Sequence, residues 1–547
     1  MFIKQDTPAS WRTASWRTGD WRIAIAGFGI SGFATLGHLI TRLRTQTDIP
    51  VHIYLFQPER TLHWDNLTPA QRSRLTQLQA LGRQTLMGGG QVYDPAQPSL
   101  FTFNGSSAAR GFDFVRQRHN TTDYFNWMQA NRELLAALYP DFSPEQGRRR
   151  HPTHTLDDLH GSSPRGAYGL YLDDQFRALL AHLPNHLTVQ VIPQAVRSFV
   201  SLKQGIYLQA ATASYRVNQL VCATGHRFAS IRPAWLDRVF AAYPCDRYRI
   251  NSSARLTVVG AGPAGIETAL HALHDLDVQQ VTLVSRRGYS RLPQMAPVAL
   301  YDCPWLTQRQ LRRSPTAERV KYLLQRSLTT AYQVCGLPYP GWDALLHIDD
   351  YGGFLTRYLQ QATPDHPLAR LVRPVMSFYG KVQDLLPVGE RVKVLQLLSS
   401  VKHLFATQSL ACAELMLAAM RTGRLTLEAG TFLFDHETPT IRRPDGAQWQ
   451  PSQVILATGF ATGVAPIYHQ AIHQGTALVD ANGDLVVNAA TGALVNSLGE
   501  DTACYQVAGA SLSSVDQQAA KAAQSLAQQI GLAERLPVER VGSLGAV

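Results

Sequence analysis

No Cys-x-x-Cys pair occurs in this chain of 547 residues; its six cysteines, Cys222, Cys245, Cys303, Cys335, Cys412 and Cys504, are widely scattered. That spacing argues against a zinc ribbon and a disulfide framework, and it removes the vicinal dithiol on which a disulfide reductase depends. Long apolar runs are missing too. Polar residues interrupt every apolar stretch before the roughly 20 residues needed to cross a bilayer, so no stable membrane insertion is expected. The first residues lack the apolar core and small-residue cleavage site of a secretory signal. They carry instead a five-residue echo, Trp11-Arg12-Thr13, Trp16-Arg17-Thr18 and Trp21-Arg22. Residues 1–20 are expected to be a disordered leader and the protein to be cytoplasmic.

Acidic residues are the scarcer charge, 40 against 51 Lys plus Arg, for a net charge of +11. Apart from Arg148-Arg149-Arg150 the arginines are spread along the chain, so anionic small molecules, rather than nucleic acid, are the expected partners. With 45% apolar and 17% charged residues, the composition is that of a globular protein and excludes disorder as the main state. His151, His154 and His160 flank Asp157 and Asp158 at irregular spacing in a loop-like stretch. That pattern reads as a polar surface insertion, and no metal site is expected. No oligomeric state is specified.

Two segments share one grammar. Residues 21–32 read WRIAIAGFGISG, an apolar run followed by three glycines, with helical spacing over 33–43 and a second strand at Val51–Phe56. Residues 255–265 read RLTVVGAGPAG, followed by a helical stretch at 266–274 and a strand at 281–284. Each is a βαβ unit with a parallel pair. Each is answered later by an apolar run ending in Ala-Thr-Gly, at Ala223-Thr224-Gly225 and Ala457-Thr458-Gly459. Such turns mark where a chain leaves and re-enters a nucleotide domain.

In a loop such as Gly27-Phe28-Gly29-Ile30-Ser31-Gly32, the first glycine permits a tight turn. The second lets backbone approach a pyrophosphate, and the third lets the helix pack on the strand. The helix N-terminus that follows offers free amides to the phosphates. The residue closing the second strand, Gln57, stands where a carboxylate usually grips the ribose, and its amide can still serve those hydroxyls. The second loop, Gly260-Ala261-Gly262-Pro263-Ala264-Gly265, is a cleaner match. Its strand ends in Ser285-Arg286-Arg287, where the arginines would pair with a 2′-phosphate and favour NADPH over NADH. Alternatively, the two arginines sit on a solvated turn and imply no preference.

These landmarks, with Gly88-Gly89-Gly90-Gln91-Val92-Tyr93-Asp94-Pro95 and Pro164-Arg165-Gly166-Ala167-Tyr168-Gly169-Leu170-Tyr171-Leu172, resemble the bacterial FAD-NAD(P)-binding proteins. That family is related to the flavin-dependent monooxygenases, amine N-hydroxylases among them. The resemblance implies FAD on the first loop, with Gly89, Gly90 and Tyr93 running past the flavin and Val196 bringing backbone to the adenine. It implies that Tyr505-Gln506-Val507-Ala508-Gly509-Ala510 returns to the ribityl chain and isoalloxazine, with Gly509 at the cofactor. Thr224 and Gly225 would close the first site, Thr458 and Gly459 the second. Two features depart from related flavoproteins: the C-terminal motif lacks a Gly-Asp pair, and Tyr243-Pro244-Cys245 stands where some monooxygenases have a histidine motif.

The expected fold is α/β, with two Rossmann-like dinucleotide-binding domains, the FAD domain discontinuous, the NAD(P) domain inserted into it, and helical insertions. The FAD domain takes residues 21–250, with an insertion at about 111–165, and resumes at 451–535. The NAD(P) domain takes 251–450, with a helical insertion at about 300–424, and residues 536–547 form a tail. The expected function is an FAD- and NADPH-dependent monooxygenase, acting through a flavin hydroperoxide on a small soft nucleophile such as an amine. A dehydrogenase or oxidase without oxygen insertion and a non-catalytic flavin-binding redox sensor are the alternatives. No side chain is assigned as catalytic, since the cofactors carry the chemistry.

Overall fold

The computed structural model describes residues 20–46, 49–60, 62–83, 87–102, 124–140, 163–202, 205–225, 231–251, 255–293, 303–361, 366–382, 385–405, 408–459, 466–473, 477–479, 485–487, 494–497 and 512–534. The leader up to residue 19, Arg148 to Arg150, the histidine cluster and the motif containing Gly509 lie outside them.

Val, Ile, Leu and Ala dominate the runs at Trp21–Ala26 and Val51–Phe56, which become neighbouring parallel strands. Their sheet has the order Leu494–Ser497, Gln219–Cys222, Trp21–Ala26, Val51–Phe56, Leu187–Ile192, parallel throughout. Ile23 and Ile25 face one core, with the helices Ile30–Gln46, Arg165–Ala181 and Leu512–Glu534. Ala24 and Ala26 face a second core, formed with Phe199, Ile206 and Leu208 of an antiparallel meander. Coverage on both faces is why these strands read as continuous apolar runs rather than alternating ones.

The second sheet repeats the plan, with order Leu425–Ala429, Gln280–Ser285, Arg255–Val259, Gln453–Leu456, Val239–Ala241, again all parallel. In both sheets the strand before the glycine loop is central, and the strand preceding an Ala-Thr-Gly turn lies directly beside it. The edge strands cross over. Val239–Ala241 precedes the second glycine loop in sequence yet completes its sheet, while Leu494–Ser497 returns near the end of the chain to complete the first.

Between Gln280–Ser285 and Leu425–Ala429 stands a helical layer, including Ala317–Val334, Tyr351–Gln361, Pro367–Val382, Val388–Phe405 and Leu410–Arg421. It has its own core of Leu323, Leu324, Leu328, Leu371, Val375 and Val401. Thr316 and Ser409 cap two of the helices, accepting from the amides of Arg319 and Cys412. Within the expected polar insertion at 111–165 the structure differs: Tyr124–Ala130 and Arg132–Leu138 are helices whose Tyr124, Trp127, Met128, Leu135 and Leu138 join the first core. Two seven-residue helices bracketed by polar sequence are too short to display a 3.6-residue period.

Among the described residues, no helix is long and apolar enough to cross a membrane, and no group of His, Cys, Asp and Glu could hold a metal ion.

Candidate functional site

Each glycine loop is shaped first by its own chain. Gly27 and Gly260 have φ of +92° and +110°, and a Cβ on either would strike the carbonyl of Ala223 or Ala457. Those carbonyls belong to the Ala-Thr-Gly turns, whose Ala223 and Ala457 amides in turn donate to Ala26 and Val259 at 2.7 Å. Gly32 and Gly265 press on the carbonyls of Gly27 and Gly260, closing helix onto strand. The middle glycines are different. Among the described residues, the nearest group that a Cβ on Gly29 would meet is the Gly90 backbone, at 3.7 Å, and the nearest to one on Gly262 is the Arg291 side chain, at 3.4 Å. Both distances are ordinary van der Waals contacts.

The helices behind the loops begin at Ile30 and Pro263. Their first bonds back to the loop are Phe33 to Gly29 at 2.9 Å and Ile266 to Gly262 at 3.0 Å. The preceding first-turn amides, at Ser31 and Gly32 and at Ala264 and Gly265, have no carbonyl one turn earlier in the helix, and they add to the positive end of the dipole. Pro263 at the first helical position has no amide to lose.

At the first loop the side-chain carbonyl of Gln57 accepts from the Phe28 amide at 3.1 Å, which ties the end of the second strand to the turn. Gly89 and Gly90 pack between Gly29 and the helix Arg165–Ala181, and the Tyr93 carbonyl fits against Gly169. Tyr93 continues into a buried aromatic cluster, with its ring 5.3 Å from that of Tyr168. Thr224 and Gly225 are exposed beyond Ala223, and Thr458 and Gly459 beyond Ala457. The Val196 side chain joins the core containing Phe56. At the second loop Arg286 is exposed at the end of its strand. Arg287 donates to the Tyr289 hydroxyl at 2.8 Å and to the Ser400 carbonyl at 2.9 Å.

The segment after Tyr93 links the two loops. Buried Arg74 donates to the carbonyls of Pro95 and Gln97 and to the Ser99 hydroxyl. Two residues past Leu100, the Thr102 amide donates to Glu267 at 3.2 Å, on the helix behind the second glycine loop. Arg165 completes this junction: it donates to Glu267 at 2.8 Å, to the Thr102 carbonyl at 3.0 Å and to the Tyr243 hydroxyl. Burial pushes the Glu267 carboxyl up, against the pull of Arg165. Burial also opposes the Arg165 charge, but Glu267 and Tyr243 hold its pKa above the ordinary value. Charged partners from the two units thus meet in the interior, on the segment that leads away from the first site.

Arg165, Glu267, Tyr243 and Arg74 went unassigned from sequence. Arg165 and Tyr243 stood inside quoted motifs, but only the fold brings them to Glu267. Burial raises the thiols near this junction, Cys245 to about 12 and Cys412 in the same direction, which disfavours their thiolate forms.

Residues 24–227 match the family model described as FAD-NAD(P)-binding. This segment is an FAD-NAD(P)-binding domain. No curated protein sequence matches the chain. Among solved structures, the chain is similar to an ornithine hydroxylase from Pseudomonas aeruginosa, at 14% identity over 93% of this chain and 99% of that one, with a TM-score of 0.49. It is similar to the cadaverine monooxygenase of the desferrioxamine pathway of Erwinia amylovora, at 12% identity over 93% and 94%, with a TM-score of 0.48. It is also similar to a thioredoxin reductase from T. acidophilum, at 10% identity over 93% and 98%, with a TM-score of 0.38.

Proposed function

We propose that the protein is an FAD- and NADPH-dependent oxidoreductase, and specifically a monooxygenase acting on a small soft nucleophile of the amine class. The observation that carries the two-cofactor reading is the paired construction of the glycine loops. In each, the first and third glycines are demanded by neighbouring carbonyls, whereas at the middle one the described residues would admit a Cβ, which supports a ligand as the reason for that glycine. FAD would rest on Gly27, Gly29, Ser31 and Gly32. The Gln57 carbonyl is held by Phe28, which leaves its NH₂ group to reach a ribose oxygen. The nicotinamide dinucleotide would rest on Gly260, Gly262, Pro263 and Gly265. Bound FAD supplies hydride acceptance and the activation of oxygen.

The chain's part is to bind, orient and exclude water. The Tyr93-to-Thr102 segment and the buried Arg165–Glu267 pair join the two units, a connection that would help hold two bound rings in a fixed relation. Buried thiols with raised pKa values, and no vicinal pair, argue against a dithiol acceptor. The amine class rests on the resemblance of the sequence motifs to those of the N-hydroxylating monooxygenases.

The test uses full-length protein loaded with FAD. NADPH should bleach the flavin anaerobically, and air with labelled O₂ and an accepted primary amine should give a product carrying one labelled oxygen. A product without label would leave a dehydrogenase or oxidase; a flavin that neither NADPH nor NADH reduces would end the oxidoreductase reading.

A further inference from the structure

One face of the helix Arg165–Ala181 lies along residues 87–95. Gly166, Gly169, Asp173 and Arg177 stand three or four residues apart and so share that face. A Cβ on Gly166 would meet the Pro95 backbone at 2.8 Å, and one on Gly169 would strike the Tyr93 carbonyl. One turn on from Gly169, the Asp173 carboxylate accepts from the Met87 amide at 3.1 Å and from Arg177 Nε at 2.8 Å. The helix thus holds the segment at three levels, two by close approach of backbone and the third by a charge.

A carboxylate is costly in this place. Leu170, Leu172, Phe176 and Leu179 of the same helix belong to the first core, and Asp173 itself is fully buried. Burying such a charge is unfavourable unless it is hydrogen-bonded and paired. Burial pushes the Asp173 pKa up, while Arg177, the Met87 amide and Arg83 pull the other way. Residues 87–90 belong to no helix or strand, so no ladder carbonyl serves the Met87 amide. Asp173 takes the part of that carbonyl, and the largely exposed Arg177 side chain pairs with its charge.

The segment held in this way lies against the first glycine loop. Gly88 and Gly90 have φ of +85° and +60°. A Cβ on Gly88 would press on the Phe33 ring at 3.2 Å, and one on Gly90 would lie 3.3 Å from Gly29 Cα. Gly29 is the middle glycine of the loop, and Phe33 is the residue whose amide bonds back to it. Asp174, next in sequence, is engaged elsewhere: it accepts from Arg83 Nη2 at 2.6 Å and from Trp127 Nε1 at 2.9 Å.

We infer that Asp173 is a positioning residue for the flavin site: by fixing the Met87 amide it sets Gly88, Gly89 and Gly90 as a backbone wall beside Gly29, against which FAD is held. The inference rests on the proposed use of the first loop, and it names a side chain outside both glycine loops on which the shape of that site depends.

The test titrates flavin-free, full-length protein with FAD at a temperature where circular dichroism shows each variant folded. Asp173→Ala should raise the Kd for FAD about 10- to 100-fold. Asp173→Asn keeps an acceptor for the Met87 amide and should restore the affinity nearly to that of wild type. Asp174→Ala should lower the Tm of the flavin-free protein and leave the FAD affinity unchanged, because the bonds it removes lead to Arg83 and Trp127. Wild-type affinity in Asp173→Ala overturns the inference. An asparagine variant as weak as the alanine one, or equal weakening in Asp174→Ala, overturns it as well. If Asp173→Ala does not fold, Asp173→Leu takes its place, since leucine fills the space while leaving the amide unpaired, and the same outcomes apply. Wild-type protein that binds no FAD defeats the reading of the first loop, a different result from tight binding that the substitution leaves intact.

Discussion

Within each loop the three glycines answer to different neighbours, and single added methyl groups separate their roles. At Gly32 a Cβ would drive into the Gly27 carbonyl, a backbone atom that cannot swing aside. Gly32→Ala should therefore cost the cofactor-free protein about 1–3 kcal/mol, seen as a lowered Tm. At Gly29 the nearest protein atom is 3.7 Å away, an ordinary contact. Gly29→Ala should leave the Tm of the flavin-free protein within about 2 °C of wild type and yet abolish flavin retention, measured by absorbance after gel filtration. Equal loss of stability from the two substitutions would sink this division of labour. The motif was readable because backbone sterics hold Gly27 and Gly32 to glycine, and the close approach of a phosphate is the ordinary reason for the glycine between them. Arg291 was not, since nothing in a run such as Ser290-Arg291-Leu292-Pro293 says that it folds back over Gly262.

Among the elements, the helical layer was legible in outline, because Val388–Phe405 and Leu410–Arg421 are long enough for their apolar periodicity to emerge. The helices at Tyr124–Ala130 and Arg132–Leu138 were not: Tyr124 and Trp127 of the first are buried against Tyr168 and Tyr171 of a distant helix, and Leu135 and Leu138 of the second join the same core. The layer also carries an acid sensitivity. Burial lowers His366 and His403 each to about 4 from an ordinary 6.5. Their folded-state pKa values lie below the unfolded ones, so their contribution is present above pH 6.5 and is lost as pH falls through about 4. Hydrogen exchange should show Val388–Phe405 losing protection between pH 7 and pH 5 before the first sheet does, after correction for intrinsic exchange rates. His403→Gln, which retains a donor for the Leu345 carbonyl, should reduce that loss. Simultaneous loss in both regions, unchanged by the substitution, would refute the mechanism.

For the molecule as a whole, the first nucleotide unit depends on the far end of the chain. The helix Leu512–Glu534 lies along Ile30–Gln46, with His38 and Asp516 paired at 2.6 Å and the Gln219 side chain bonded to Gln529 at 3.0 Å. Its Val515, Ala519, Ala523, Leu526 and Ile530 are buried in the same core as Leu36, Leu39 and Leu43. A chain ending at residue 511 should therefore expose that face and aggregate or unfold on expression, and supplying residues 512–534 as a peptide should partly restore thermal stability. A truncated protein that melts cooperatively at the full-length temperature would show the helix to be dispensable.

The sequence alone determined the two βαβ units, their parallel strands, the glycine loops between strand and helix and the helical character of the inserted layer. Those features depend on local sterics and short-range periodicity, which one stretch of chain carries in full. The tertiary structure decided which sheet Val239–Ala241 and Leu494–Ser497 complete, that Arg165 meets Glu267, and that the Arg291 side chain lies beside Gly262. Each of those pairings joins residues far apart in the chain or set by the path of a turn, and only the packing of complete elements brings such groups into one place.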